Sequence, residues 1–293
     1  MAKKVFITGT SSGIGRLTAL KLAQHGHAVF GTMRDPSSAN AQAAAALADA
    51  AAPWPGSIST YAMDMAAEDS VEEAVAAALA DAGYFDAVVN SAGHTVMGLS
   101  ETLTHDDLLF QLDVNVVGPH RVLRAVLPGL RARGRGLLIH VTGTMGRLVL
   151  PAMGAFCASK AAYEALAEAY RYELAPLGVG STIVEPGFYP TGFAARVETG
   201  DDGLVARDYG DNAQCTERLG AKLAAMLKPP QAADPDRVAT AICVLINARR
   251  RMRPARVVVD PIPEHAALVA DINEARADAQ AEFLRAMGMD ELV

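Results

Sequence analysis

The amino-acid sequence predicts an α/β protein: a doubly wound, seven-stranded parallel sheet with helices on both faces. Three observations carry that expectation. Short apolar, β-rich runs alternate with longer helical ones almost from end to end, which is the rhythm of strand–helix–strand units whose strands are buried on both sides. A glycine-rich turn separates the first strand from the first helix. The chain has 293 residues, enough for one large core, so residues 1–293 read as a single domain.

The elements follow in order. Val5 to Thr8 is the first strand, and the amphipathic stretch from Ile14 to Gln24 the first helix. Ala28 to Thr32 is the second strand, followed by a helix over about Ser37 to Ala50 that is rich in alanine, the best helix former. Ser59 to Ala62 and Ala87 to Asn90 are the third and fourth strands, with a helix from about Ala67 to Asp81 between them. A long helix runs from about Thr104 to Arg133, and Pro119 inside it marks a kink or a break. Leu137 to Thr142, Ser181 to Glu185 and Arg256 to Val259 are the remaining strands, and a helix spans about Gly154 to Ala175. The stretch 187–231 breaks the rhythm with glycine, proline and charge around a short helical pattern from Ala213 to Leu227. An excursion of that length inside a compact domain is expected to be functional or disordered. Residues 264–293 read as a helical extension with Leu268, Ile272 and Phe283 on one face, suited to covering a sheet edge or joining a partner.

Lys+Arg number 26 and Asp+Glu 33, a formal net charge of -7. That balance offers no overall attraction for nucleic acid or an anionic membrane. The basic clusters Arg131 to Arg135 and Arg249 to Arg253 fall at helix ends and read as solvated faces. The three cysteines, Cys157, Cys215 and Cys243, form no paired framework. With no secretory signal at the N-terminus and no apolar run of roughly 18 residues, a cytoplasmic protein is expected. No His, Cys, Asp and Glu set has the spacing of a zinc site, so no metal is expected.

The turn Thr8-Gly9-Thr10-Ser11-Ser12-Gly13-Ile14-Gly15 joins a strand to a helix in the manner of a Rossmann-type nucleotide site. Glycines let the backbone approach a pyrophosphate, and the amides at the helix start favour its charge. Its spacing, T-G-x-x-x-G-x-G, resembles the short-chain dehydrogenase/reductase family. Other positions agree. Asn90-Ser91-Ala92-Gly93 resembles the family's N-N-A-G turn beside the cofactor ribose, with serine at the second place. Asp64, next to Met65, resembles the aspartate that meets the adenine amino group, and alternatively caps the next helix. Asn115 matches the asparagine that supports a proton path to the active-site lysine, and Pro186-Gly187-Phe188-Tyr189-Pro190-Thr191 the P-G-x-x-x-T that contacts the nicotinamide amide. After the second strand, Met33 stands where NAD-preferring relatives carry an acid, and Arg34 follows. An arginine there can receive the 2'-phosphate, so the resemblance implies NADP(H), with NAD kept possible by Asp35.

The departure lies at the centre. The family's reactive tyrosine precedes its lysine by four residues, and its serine precedes the tyrosine by thirteen. Lys160, in Phe156-Cys157-Ala158-Ser159-Lys160, matches the lysine; the other two places hold Phe156 and Gly143. Phenylalanine has no proton to give, and general acid–base help is typically worth ~10²- to 10⁴-fold. Four explanations are open. Thr142 or Thr144 supplies the substrate hydrogen bond; Tyr189 swings in as proton donor; Phe156 is an engineered substitution; or the cleft does no ordinary redox chemistry. Tyr163 is displaced by about two helical turns from Phe156, His140 and Cys157 read as packed core residues, and His94 as a weak candidate for touching substrate. The expected function is NADP(H)-dependent hydride transfer between nicotinamide and a carbonyl or secondary alcohol, with impaired or rewired proton transfer. The alternatives are a cofactor-binding scaffold or sensor, and an isomerase or dehydratase. The resemblance also implies a homodimer or homotetramer built through the long helix and the lysine helix. The excursion offers apolar Phe188, Tyr189, Phe193 and Leu204 beside charged Asp201, Asp202, Arg207 and Asp208.

Overall fold

The computed structural model describes residues 1–191, 198–199, 203–228 and 233–292; Phe193, Asp201, Asp202 and Gln231 lie outside them. Seven strands, β1 (Lys4–Thr8), β2 (Ala28–Met33), β3 (Ser57–Ala62), β4 (Ala87–Asn90), β6 (Gly136–Val141), β7 (Val179–Pro186) and β9 (Arg256–Val259), form one sheet in the order β3-β2-β1-β4-β6-β7-β9. All its pairings are parallel. A separate pair, β5 (Val96–Met97) with β8 (Glu198–Thr199), lies outside that sheet.

Side chains alternate along the strands, so each strand feeds two cores. Phe6, Val88 and Leu138 pack with α3 (Glu68–Ala82), α5 (Gly118–Arg133) and the end of α6 (Gly154–Leu174). Val5, Ile7, Val89 and Ile139 pack on the other face with α1 (Gly13–Gln24), α2 (Ala41–Ala51) and α9 (Asp236–Asn247). β1 lies between β2 and β4, so the chain crosses one way after β1 and the other way after β4. A crevice opens at the carboxyl ends of the strands at such a switch point.

Two expectations need correction. The long helix is two, α4 (His105–Leu112) and α5, joined by a π-helical turn over Asp113–Val117. Of the kink or break expected at Pro119 it is the break that occurs: Pro119 occupies the first turn of α5, directly after the π-helical turn. The proline inside that helix is Pro128. The helix end expected at Arg249 to Arg253 belongs to α9, whose Val238, Ala239, Ile242, Leu245 and Ile246 form a buried helical stripe. The basic clusters are not simply solvated. Arg133 donates to Phe85 O at 2.5 Å and Asp86 Oδ1 at 3.2 Å, Arg250 to Ala175 O at 2.7 Å, and Arg253 to Leu245 O at 3.1 Å, tying helix ends to the loops beside them.

Helix α7 (Gly203–Asp208), which carries Leu204, Arg207 and Asp208, and α8 (Cys215–Met226) follow within the excursion. After β9, α10 (Pro263–Ala286) returns across β9 and carries the fully buried Val269. No helix among the described residues is long and apolar enough to cross a membrane.

Candidate active-site cleft

At the switch point a cleft of about 1160 Å³ runs from the glycine turn to α6. One end is made by backbone. The amides of Gly9 and Thr10 donate to Thr32 O at 3.0 and 2.9 Å, folding the turn back over β2. Gly9 has φ +76°, and a Cβ there would lie 2.8 Å from Ala92 Cα; only glycine allows this turn and the Ser91–Gly93 turn to approach so closely. Thr8 Oγ1 accepts from the amides of Ser91 and Ala92 at 3.0 and 2.9 Å, locking the two turns together. The N-cap of α1, Ser12, makes no side-chain capping bond. The first-turn amides of α1 therefore remain for a ligand at the positive end of the helix.

These features fit a dinucleotide, and most residues predicted to bind one line the cleft: Gly9, Ser11 to Gly15, Arg34, Asp64, Met65, Ser91 to Gly93, Pro186, Gly187 and Thr191. Thr10 and Asn90 do not. Thr10 is fully buried and its hydroxyl donates to Thr32 O at 3.2 Å; Asn90 is buried beneath the wall. Asp64 is not a helix cap, since Ala67 holds that place for α3. Its carboxylate instead accepts from the amide of Ala66 at 3.0 Å. Arg34 is exposed at the rim, whereas Asp35 takes φ +43° in the turn that follows.

The other end is made by side chains. Lys160 is 6 % exposed, and its ammonium lies 5.4 Å from the ring centre of Phe156. Among the described residues it has no hydrogen bond or ion pair. Burial lowers its pKa to about 8, with the charge of Glu164 one turn later pulling the other way. Asn115 sits in the π-helical turn, outside the cleft lining. Its Oδ1 accepts from His94 N at 2.8 Å, while its Nδ2 donates to His94 O at 2.9 Å and to Ser159 Oγ at 3.0 Å. Ser159 in turn donates to Phe156 O at 2.7 Å. Asn115 thus joins the wall beside β4 to the turn of α6 that carries Phe156 and Lys160. Irregular helical turns of this kind recur at functional sites.

The structure separates the candidate hydroxyls. Thr142 Oγ1 donates to Glu164 Oε1 at 2.8 Å and is spoken for. Thr144 lines the cleft with no hydrogen bond from its hydroxyl to another described residue. Gly143 has φ +136°, a conformation that strains any L side chain, so a serine does not belong at that residue. Tyr189 borders the cleft, but its ring is 5 % exposed and belongs to the cluster of Ile7, Val141, Val238 and Ile242, separate from the one that holds Phe156. Tyr163 is fully buried; its hydroxyl lies 2.7 Å from His140 Nδ1, and His140 Nε2 lies 3.0 Å from Ser181 Oγ. Burial lowers the pKa of His140 to about 3. Cys157 is packed, and burial pushes its thiol pKa up.

Sequence reasoning missed part of the lining. Met97, Phe110, Met145 and Met153 are apolar wall, and Leu223 and Leu227 bring α8 over the cleft at a four-residue spacing that was visible in the sequence. His94 is also in the lining, its ring edge-on to Phe110 at 5.0 Å. Among the described residues no group of three or more His, Cys, Asp or Glu could hold a metal.

A parallel sheet in this order, a glycine cradle at its switch point and a buried lysine at the far end of the same cleft define an oxidoreductase fold of the nucleotide-binding α/β class. A family model described as short chain dehydrogenase matches residues 3–202, and the chain belongs to the short-chain dehydrogenase/reductase family. A 3-ketodihydrosphingosine reductase of Bacteroides thetaiotaomicron is 29% identical over 88% of this chain and 88% of its own length. The human 17-beta-hydroxysteroid dehydrogenase type 1 is 39% identical, over 66% of this chain and 58% of that protein. The crystal structure of a short-chain dehydrogenase from Streptomyces avermitilis superposes with a TM-score of 0.74 at 27% identity, covering 98% of both chains.

Proposed function

We propose that this protein is an NADP(H)-dependent oxidoreductase acting on a bulky apolar carbonyl or secondary alcohol, with its proton transfer rewired around Phe156. The observation that carries the reading is the buried Lys160, unpaired among the described residues, beside the ring of Phe156, at the end of a cleft whose other end is a dinucleotide cradle. When bound, the nicotinamide would supply or accept the hydride. Arg34 at the rim, with Met33 in the place of an acid, favours the 2'-phosphate of NADP. Thr144 offers its hydroxyl, which has no hydrogen bond to another described residue, to the substrate oxygen, taking the part of the absent serine.

Lys160 takes over the proton. In reduction its ammonium gives a proton to the developing alkoxide and the resulting amine recovers one from solvent; oxidation runs the same transfer in reverse. An amine with a pKa of about 8 can serve both directions near neutral pH. Met97, Phe110, Met145, Met153, Phe188 and Leu223 make the space beyond Thr144 apolar, and the names of the two relatives, which act on a ketosphingoid base and a steroid, point the same way. Leu108, Leu109 and Phe110 in one turn of α4 and Val117 at the end of the π-helical turn are exposed, which suits a homo-oligomer formed through the long helix.

The test is a titration of the purified protein with NADPH and NADH by fluorescence, followed by turnover against long-chain, steroid and small polar ketones from pH 6 to 10. Reduction should fall as pH rises through about 8, because the ammonium form is lost, and oxidation should rise over the same interval. Thr144→Val should lower kcat/KM by about tenfold, the loss of one hydrogen bond, while Thr142→Val acts mainly on stability. Tight NADPH binding without turnover of any carbonyl or alcohol overturns the redox reading.

A further inference from the structure

Glu164 and Glu185 are both fully buried, and neither touches the nucleotide end of the cleft. Glu164 Oε1 accepts from Thr142; its Oε2 accepts from Arg256 at 2.8 Å and faces Arg147 NH2 at 2.9 Å. Glu185 Oε1 accepts from the same Arg256 nitrogen at 2.8 Å. Glu168 holds Arg256 on one oxygen at 2.5 Å and Arg276 on the other at 2.6 Å. Three carboxylates thus face three guanidiniums. The remaining bonds come from one neutral side chain on α10: Asn273 Nδ2 donates to Glu185 Oε2 at 2.7 Å, and Asn273 Oδ1 accepts from Arg147 Nε at 2.7 Å.

The network reaches the cleft at two points. The 3₁₀ turn over Thr144–Gly146 rests on Glu164 so closely that a Cβ on Gly146 would lie 2.7 Å from its carboxyl carbon. Arg147, which ends that turn, is held by the Glu164–Asn273 pair. Glu164 also follows Lys160 by one turn of α6 and acts on its charge. Arg256, Asn273 and Arg276 all lie beyond residue 202, where the family match ends.

We propose that Asn273 of the C-terminal helix is a positioning residue for the reactive end: by clasping Arg147 and Glu185 it fixes the Thr142–Arg147 segment against Glu164 and thereby sets the place of the Thr144 hydroxyl. The proposal rests on the redox reading for its kinetic readout, but hydrogen exchange reports the segment directly. In Asn273→Ala, Arg147 Nε and Glu185 Oε2 both lose a partner inside the protein. Exchange in the peptide covering 142–148 should quicken while that in β1 stays unchanged. NADPH should bind within about twofold of the parent, and kcat should drop about 10- to 100-fold with little change in KM, the scale of a small misplacement of a reacting group.

Two further variants separate positioning from stability. Arg147→Lys keeps the charge but cannot reach Glu164 and Asn273 together, so it should behave like Asn273→Ala. Val269→Ala weakens the packing of the same helix without touching the amide; it should lower the melting temperature yet leave exchange at 142–148 and kcat at parental values. If Asn273→Ala only melts earlier, with kcat and exchange at 142–148 unchanged, α10 is packing and the proposal falls. Faster exchange at 142–148 in Asn273→Ala, with a parent protein that turns over no carbonyl, would uphold the wiring and overturn the redox reading instead.

Discussion

Gly9 and Phe156 border the same cleft, yet the two ends they represent are built in different ways. At Gly9 the site is made of backbone, left-handed φ and missing Cβ atoms, and few residues satisfy it. At Phe156 the site is made of hydroxyls and charges, and such groups can be supplied from another position or another element. The glycine end accordingly keeps its family pattern, whereas the reactive end has Phe156 and Gly143 where a phenol and a serine were expected, with Thr144 and α10 proposed to make good the difference. Steric constraints anchor a sequence motif more firmly than chemical roles do.

Restoring the phenol breaks the contrast most sharply. Phe156→Tyr should raise kcat for reduction by ~10²- to 10⁴-fold and move the break near pH 8 in the rate profile; steady-state kinetics from pH 6 to 10 check both. An unchanged rate and profile would show that proton transfer is not limiting.

The next effect is on stability. The neutral imidazole of His140 contributes in full above its unfolded value near 6.5, and that contribution is lost as pH falls toward about 3. The difference in pKa corresponds to about 4–5 kcal/mol. Urea unfolding at pH 7 and pH 4 should show a loss of about 3 kcal/mol, the share of that interval lying above pH 4, and His140→Asn should flatten the dependence.

At the cradle, Gly9→Ala combines left-handed strain with a clash against Ala92, together about 3 kcal/mol; thermal unfolding and NADPH titration should both register it. Gly143→Ser places a side chain at φ +136° and should destabilise the protein without restoring activity. The smallest effect is at the rim. Arg34→Ala should weaken NADPH by about 2 kcal/mol, roughly 30-fold in Kd, and leave NADH nearly unaffected.

The sheet, its strand count and the cradle were legible because they rest on local signals: period-two and helical apolar runs, and glycines where a Cβ has no room. Lys160 was legible because four-residue spacing along a helix fixes its neighbour. The choice between Thr142 and Thr144 was not, since it depends on which hydroxyl Glu164 captures. Nor was the role of Glu164 itself, which looks in sequence like an ordinary helical carboxylate. Arg147 meets Asn273 across 126 residues, and no periodicity marks a pairing at that distance. Helix α9 was legible only at its C-terminal end, through the basic cluster at Arg249 to Arg253, although its buried stripe lies in the sequence.

The closed set of Glu164, Glu168, Glu185, Arg147, Arg256 and Arg276 has a consequence for divergence. At its most buried members, Glu164, Glu185, Arg147 and Arg256, removing one leaves its counter-charge stranded in a dry interior, which is far costlier than removing both. Descendants of this chain should therefore change these residues in matched pairs or not at all, so that the C-terminal helix and the lysine helix are inherited together.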